Sequence, residues 1–313
     1  MSWLHTINCV VAFLFVLCYS YQFFYIVYGI IKKPKTYPEA KPVNRYAVLI
    51  PARNEEKVIG QLIESIKYQS YPSELIDIYV VADNCTDNTK EVSEKYGAFV
   101  YERFDKENVG KGYALEFLLD KIKEKYSFDF YDGYFCFDAD NLLNANYITE
   151  MNKCFCDGNK IITSYRNSKN YGTNWITAGY SLWFLREARF LNGVRNNLNI
   201  SCAISGTGFL IHKDIIKEQD GWKHFLLTED IEFTVDNVIK GEKIAYCDSR
   251  SVEDVMSAIR TFQEKGVNLN CNAEHFDSFH IEIVENLEFI KQLDLGFDDM
   301  DDIEEPDAGM VMQ

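Results

Sequence analysis

Four short apolar runs constrain this chain more than any other feature: YAVLIP at Tyr46–Pro51, DIYVVA at Asp77–Ala82, FVYER at Phe99–Arg103 and YFCFD at Tyr134–Asp138. Each is rich in β-branched or aromatic residues and too short for a buried helix, so each reads as a strand. The stretches between them carry apolar residues at helical spacing. Val58, Ile59, Leu62, Ile63 and Ile66 share one face, as do Leu115, Leu118, Leu119 and Ile122 further on. Asn54 is placed to cap the first helix, with Glu55 and Glu56 in its opening turn, and Thr86 or Asp87 opens a helix that stops at Gly97. Strands and helices alternating at this interval form crossover units. They predict an α/β fold, a mostly parallel, doubly wound, Rossmann-like sheet with helices on both faces.

In such sheets ligands bind beyond the carboxyl ends of the strands. The polar residues falling there are Arg53, Asn54 and Glu55 after the first strand, Asp83 after the second, and Asp138 and Asp140 after the fourth. Asp138 and Asp140 are two apart, so an extended backbone points both to one side. Like charges this close are costly at the end of a buried run. A bound Mg²⁺ or Mn²⁺, which takes oxygen donors and shares phosphate oxygens, removes the conflict. Spacing alone is weak support, because Asp299 and Asp301 repeat it with no strand before them.

Asp83 can accept hydrogen bonds from a base or ribose, whereas Asp87 and Asn88 read as plain turn and cap residues. Lys111 stands between Gly110 and Gly112 just ahead of a helix, which suits a diphosphate beside exposed amides, although the spacing is not that of a P-loop. Gly206, Thr207 and Gly208, in SGTGFLIHK, form a turn running into a strand. It reads equally as a close-approach loop for a sugar or acceptor and as a plain positive-φ turn. Glu229 and Asp230, in LLTED, open a helix whose apolar face carries Ile231, Val235, Val238 and Ile239. Thr228 can cap that helix, so the two acids read either as dipole stabilisers or as catalytic groups.

The ends of the chain differ from its middle. Ile7–Ile31 contains no Asp, Glu, Lys or Arg, and as a helix would extend about 37 Å, enough to cross a bilayer. Tyr19, Tyr21, Tyr25 and Tyr28 suit an interface. The basic residues Lys32, Lys33 and Lys35 follow the run instead of preceding it. That favours a retained single-pass anchor over a cleaved signal peptide, with the N-terminus outside and the body in the cytoplasm. At the other end, Ser251–Gln313 carries 16 acidic and 3 basic side chains, so it supplies −13 of the formal net charge of −16. Neither part has the basic face that nucleic-acid binding needs. Nine cysteines, an odd number without a C-x-x-C, point to reduced thiols. The expected division is an anchor at 1–33, a Pro-rich linker at 34–45, a catalytic domain at 46–250 and an acidic extension at 251–313. In that extension Ser251 caps an amphipathic helix with Val252, Val255, Met256, Ile259 and Phe262 on one side, and DDMDDIEEPDAG reads as disordered, a candidate docking element for a protein partner.

Taken in order, PARNEE, VVADNCTDNT, NVGKGYAL, FDADN, SGTGF and LLTED resemble the motifs of the family 2 glycosyltransferases, which have the GT-A fold, and in particular their membrane-anchored, N-acetylglucosaminyltransferase and cellulose-synthase-like members. The resemblance runs from about Tyr46 to Asp248. It implies a UDP-sugar donor carrying N-acetylglucosamine or glucose, a divalent Mn²⁺ or Mg²⁺, and a glycan or lipid-linked acceptor. On this pattern Arg53 and Asp83 lie near uracil, Lys111 and Asp138 near ribose and diphosphate, and Asp140 on the metal with Asp138. Pro51, Glu55 and Ala139 complete the donor site, Gly206, Thr207 and Gly208 form the acceptor loop, and Asp230 is the general base with Glu229 beside it. The family's polymerising members carry Q-x-x-R-W after the TED segment; this sequence does not, which implies an end truncated or replaced after about residue 248 and argues against processive polymerisation. An inactive nucleotide-sugar-binding relative is one alternative. A nucleotidyltransferase is another, but it leaves LLTED without a role.

Overall fold

The computed structural model describes residues 2–166 and 183–248. The helix expected after Ser251 and the acidic run lie outside the described residues. Two helices, α1 (Ser2–Tyr19) and α2 (Tyr21–Ile31), precede an alternating body: β1 (Tyr46–Ala52), α3 (Ile59–Lys67), β2 (Ile76–Asp83), α4 (Thr89–Lys95), β3 (Phe99–Arg103), α5 (Lys111–Tyr126), β4 (Gly133–Cys136), α6 (Tyr147–Cys156) and β5 (Ile161–Ser164). A π-helical stretch, Glu187–Asn192, then runs into α7 (Gly193–Asn197), followed by β6 (Phe209–His212), α8 (Lys213–Glu218), α9 (Glu229–Ile239) and β7 (Ile244–Cys247).

The sheet has seven strands in the order β3-β2-β1-β4-β6-β5-β7. The four strands read from the sequence all form and lie side by side in parallel. β6 is the exception in the sheet, antiparallel to both β4 and β5, while β5 and β7 are parallel. Side chains alternate across the sheet as the period of two requires. Ala47 and Leu49 face Leu115, Leu118, Leu119 and Ile122 of α5, whereas Tyr46, Val48 and Ile50 face Ile59, Leu62, Ile63 and Ile66 of α3 and Met151 of α6. Both faces are thus covered by helices, as expected of a parallel sheet. The eight described cysteines are free.

Three local expectations are corrected. Asn54 does not cap α3: its backbone is left-handed at φ 58°, and its Oδ1 accepts from Thr86 N at 2.8 Å. The side chain ties the β1–α3 loop to the β2–α4 loop, and α3 starts only at Ile59. Thr228 sits at the N-cap of α9 but makes no capping hydrogen bond. The orientation of α9 is opposite to the one its apolar spacing suggests. Ile231 and Ile239 are 56% and 79% exposed, while Phe233 and Asn237 are buried. The aromatic ring decides the outcome, because Phe233 stacks on Trp222 at 5.0 Å and buries more area than any β-branched residue of the helix.

A single turn residue, Ser20, separates the two N-terminal helices; its backbone stays helical and its Oγ donates to Leu17 O at 2.8 Å. Trp3–Ile31 has a mean hydropathy of 2.0, is exposed along most of its length although Gly29 is buried, and is long and apolar enough to cross a membrane.

Candidate active site

A cleft of about 380 Å³ opens at the carboxyl ends of β1, β2 and β4. Pro51, Arg53, Glu55, Asp83, Lys111, Asp138, Ala139 and Asp140 all line it, with Ala52, Val109, Gly110 and Ala114 between them. The strands end at one level and the helices start there, so residues far apart in sequence meet. Gly110 precedes α5 at φ 142°, a backbone state that suits glycine, and Gly110 and Lys111 at the helix start line the cleft. Gly112 is required by a close approach: a Cβ there would lie 2.1 Å from the carbonyl oxygen of His224, so the loop leading into α9 packs directly on the start of α5.

Lys111 gathers three segments. Its Nζ donates to Asp138 Oδ1 at 2.6 Å and to Gly206 O at 2.5 Å, and stands 3.7 Å from Glu229 Oε1. Burial alone would lower its pKa, but the acidic groups packed around it, Cys136, Asp138 and Glu229, raise it to about 12, so the amine stays charged. Burial in turn raises the carboxyl of Glu229, against the pull of Lys111.

The Gly206–Gly208 turn is fixed from both sides. Thr207 Oγ1 accepts from Asp138 N at 2.9 Å and donates to Asn141 Oδ1. Gly208 O accepts from Ser164 Oγ at 2.7 Å and from Tyr147 OH at 3.0 Å. Both glycines have positive φ, 70° and 68°, so the turn reading holds here alongside proximity to the cleft. Asp230 does not line the cleft itself. It adjoins the cleft through Gly206, whose added Cβ would lie 3.9 Å from Asp230 Oδ2, while Asp230 Oδ1 accepts from Ile231 N at 2.8 Å.

Asp83 has a partner that the sequence reading missed. Arg103 Nη1 donates to Asp83 Oδ1 at 2.7 Å, and both residues are buried. Arg103 Nη2 also donates to Asn108 O at 2.6 Å and Asp105 Oδ2 at 3.1 Å, so the same guanidinium holds the loop that delivers Lys111. The signal was available in principle, because Asp83 and Arg103 are direct neighbours in the β2–β3 register. Replacing Arg103 by Ala strands a buried carboxylate and is expected to lower stability by about 3 kcal/mol. Thermal unfolding of the variant tests this, and an unchanged midpoint would show that the pair is not structural.

Part of the cleft lining is acidic. Glu55 has its pKa raised by burial first and then by the charges of Asp140, Asp87 and Asp138. Asp140 is exposed, with Oδ1 accepting from Asn141 Nδ2 at 3.2 Å. Mutual repulsion among these carboxylates is what a cation relieves. Among the described residues no group of three or more His, Cys, Asp or Glu side chains is close enough to cage a metal alone. The donor set therefore fits Mg²⁺ or Mn²⁺ held by one or two carboxylates together with phosphate oxygens.

Comparison with known proteins agrees in fold and motif. A family model described as "Glycosyltransferase like family 2" matches residues 42–267, past Asp248, where the motif resemblance ends. The probable glycosyltransferase YdaM of Bacillus subtilis is 27% identical over 222 residues, covering 64% of this chain and 48% of that protein. The 4,4'-diaponeurosporenoate glycosyltransferase of Staphylococcus aureus is 45% identical over 67 residues, 21% of this chain and 17% of that protein. The chain thus spans about half of the first relative's length and much less of the second's. Among solved structures, the mannosyltransferase PcManGT from Pyrobaculum calidifontis, in complex with GDP-Man and Mn²⁺, superposes with a TM-score of 0.57 at 14% identity, over 91% of this chain and 83% of that one.

Proposed function

This chain belongs to glycosyltransferase family 2, and on that premise we propose that it moves a sugar, N-acetylglucosamine or glucose, from a UDP-sugar to a hydroxyl of a glycan or lipid-linked acceptor, with inversion. The observation that carries the reading is the reach of Lys111 to Asp138, the Gly206 carbonyl and Glu229 at one cleft. A diphosphate beside this amine and the amides opening α5 meets fixed positive charge without any rearrangement. Arg53 and Asp83 flank the nucleoside end; Asp83 Oδ2, which accepts no hydrogen bond among the described residues, is available to a base N–H.

Asp140, with Asp138, would hold Mn²⁺ or Mg²⁺, and that ion supplies charge stabilisation for the departing diphosphate. Asp230 removes the acceptor proton from the Gly206 side of the cleft. Attack from the face opposite the leaving group inverts the anomeric carbon. Glu229 keeps Lys111 in place and does not take the proton. The apolar helix anchors the catalytic part, 46–250, with Lys32, Lys33 and Lys35 on the cytoplasmic side.

Nucleotide release by the full chain, measured over a panel of UDP- and GDP-sugars with candidate acceptors, tests the reading. Turnover with a UDP-sugar is expected. Turnover confined to GDP-sugars overturns the choice of base, and nucleotide-sugar binding without turnover on any donor overturns the assignment of transfer.

A further inference from the structure

The anchor helix does not leave the body through a loose tether. Gly29 of α2 is buried against the 187–197 segment, where an added Cβ would lie 2.8 Å from Phe190 Cδ1 and 3.3 Å from Val194 Cγ2. About two turns earlier in α2, Arg186 Nη2 donates to Gln22 Oε1 at 2.5 Å. Just beyond α2, Asn197 Nδ2 donates to Lys33 O at 2.8 Å. The linker is fixed in turn, since Tyr37 OH accepts from Asn196 Nδ2 at 2.9 Å and donates to Tyr246 O of β7 at 3.1 Å. The helix and the catalytic body therefore share one rigid joint.

The length of the helix says where that joint lies. Its 29 residues, Trp3–Ile31, extend about 43 Å, close to the full bilayer with its headgroup layers, whereas the hydrocarbon core takes about 20 residues. With the N-terminal part in the hydrocarbon, Gln22–Ile31 lies at the level of the headgroups, and the segment clamped to it lies there too. The chemistry of that level matches. Phe23, Phe24, Val27 and Ile31 remain exposed on the free side of α2, and Trp183 is 56% exposed beneath the Arg186 guanidinium at 5.2 Å. Residues 183–197 carry Arg186, Arg189 and Arg195 against the single acid Glu187, and Lys32 and Lys33 join them, in a body whose charge before Ser251 is near neutral.

We propose that the 183–197 segment is a bilayer-docking surface that seats the catalytic body on anionic lipid headgroups, with Trp183 in the interface and Arg186, Arg195, Lys32 and Lys33 facing lipid phosphates. Aromatic rings at the interface and basic side chains near anionic lipids both favour this placement. The inference rests on the anchor reading above. A surface held this way brings the Gly206 turn near the bilayer as well, because Phe184, Glu187 and Ala188 of the same segment line a small cavity with Ser205 and Thr207.

The test uses the full chain in nanodiscs of phosphatidylcholine alone or mixed with phosphatidylglycerol, each containing a headgroup spin-labelled lipid that quenches tryptophan. The Trp183 contribution is the difference between wild type and Trp183→Phe. Strong quenching of that contribution in anionic discs is expected, weaker quenching in neutral discs, and loss of the difference in Arg186→Ala/Arg195→Ala. A chain that inserts but shows no quenching of Trp183, or the same quenching in both lipids, overturns the docking surface alone. A chain that does not enter nanodiscs at all overturns the anchor together with it.

Discussion

Asp230→Asn is expected to lower kcat by about 10³-fold, within the range that a positioned general base contributes, while leaving nucleotide affinity within about twofold. The substitution separates chemistry from structure. Asp230 Oδ1 accepts from Ile231 N in the first turn of α9, and an Asn oxygen can accept the same bond, so the helix start is preserved. The basicity of the group facing Gly206 is lost. The residues proposed to bind the donor line a cleft that Asp230 only adjoins, so their geometry is untouched. Initial rates and UDP affinity measured on the same preparation check the split. Turnover above a tenth of wild type would move the base elsewhere, and a parallel fall in UDP affinity would give Asp230 a structural role instead.

The second large effect concerns the acidic part of the cleft lining. Asp140→Asn, or removal of divalent ions by chelation, is expected to reduce kcat/KM by about 10²- to 10³-fold, the scale of losing one preorganised electrostatic contact to developing charge. Asp138 is already engaged by Lys111 at 2.6 Å, so Asp140 is the carboxylate with more capacity left for a cation. In wild type, excess Mn²⁺ should restore chelated activity fully; in Asp140→Asn, only partly. The variant carries a second signature independent of turnover. Because Asp140 is the foremost charge raising Glu55, its neutralisation should bring the Glu55 carboxyl back toward the ordinary range. Chelation without effect on rate would remove the metal from the scheme.

Much of the candidate cleft could be read before any coordinates because it depends on strand ends. Short continuous apolar runs mark where β1, β2 and β4 stop, and in a parallel sheet all of them stop on one rim, so Arg53, Asp83 and Asp138 had to converge. What escaped the sequence depends on pairing between distant strands. The reversal of β6 leaves no trace in a four-residue apolar run, since FLIH reads alike in either direction. The Asp83–Arg103 bond requires the β2–β3 register, and Lys111 reaching Glu229 requires the loop before α9 to rest on Gly112. For α9, hydrophobic spacing pointed to Ile231, Val235, Val238 and Ile239, yet one stacked phenylalanine turned the helix the other way. Counting apolar positions weighs four small side chains above one large ring, and packing does not.

Calorimetric titration of UDP into the full chain, with and without Mn²⁺, bears most directly on the claim that these strand ends form one nucleotide-diphosphate site shared with a cation. Binding that tightens at least about tenfold with Mn²⁺, a gain of about 1.4 kcal/mol, and that loses this gain in Asp140→Asn is the expected result. UDP binding indifferent to Mn²⁺, or no UDP binding in either condition, would contradict it.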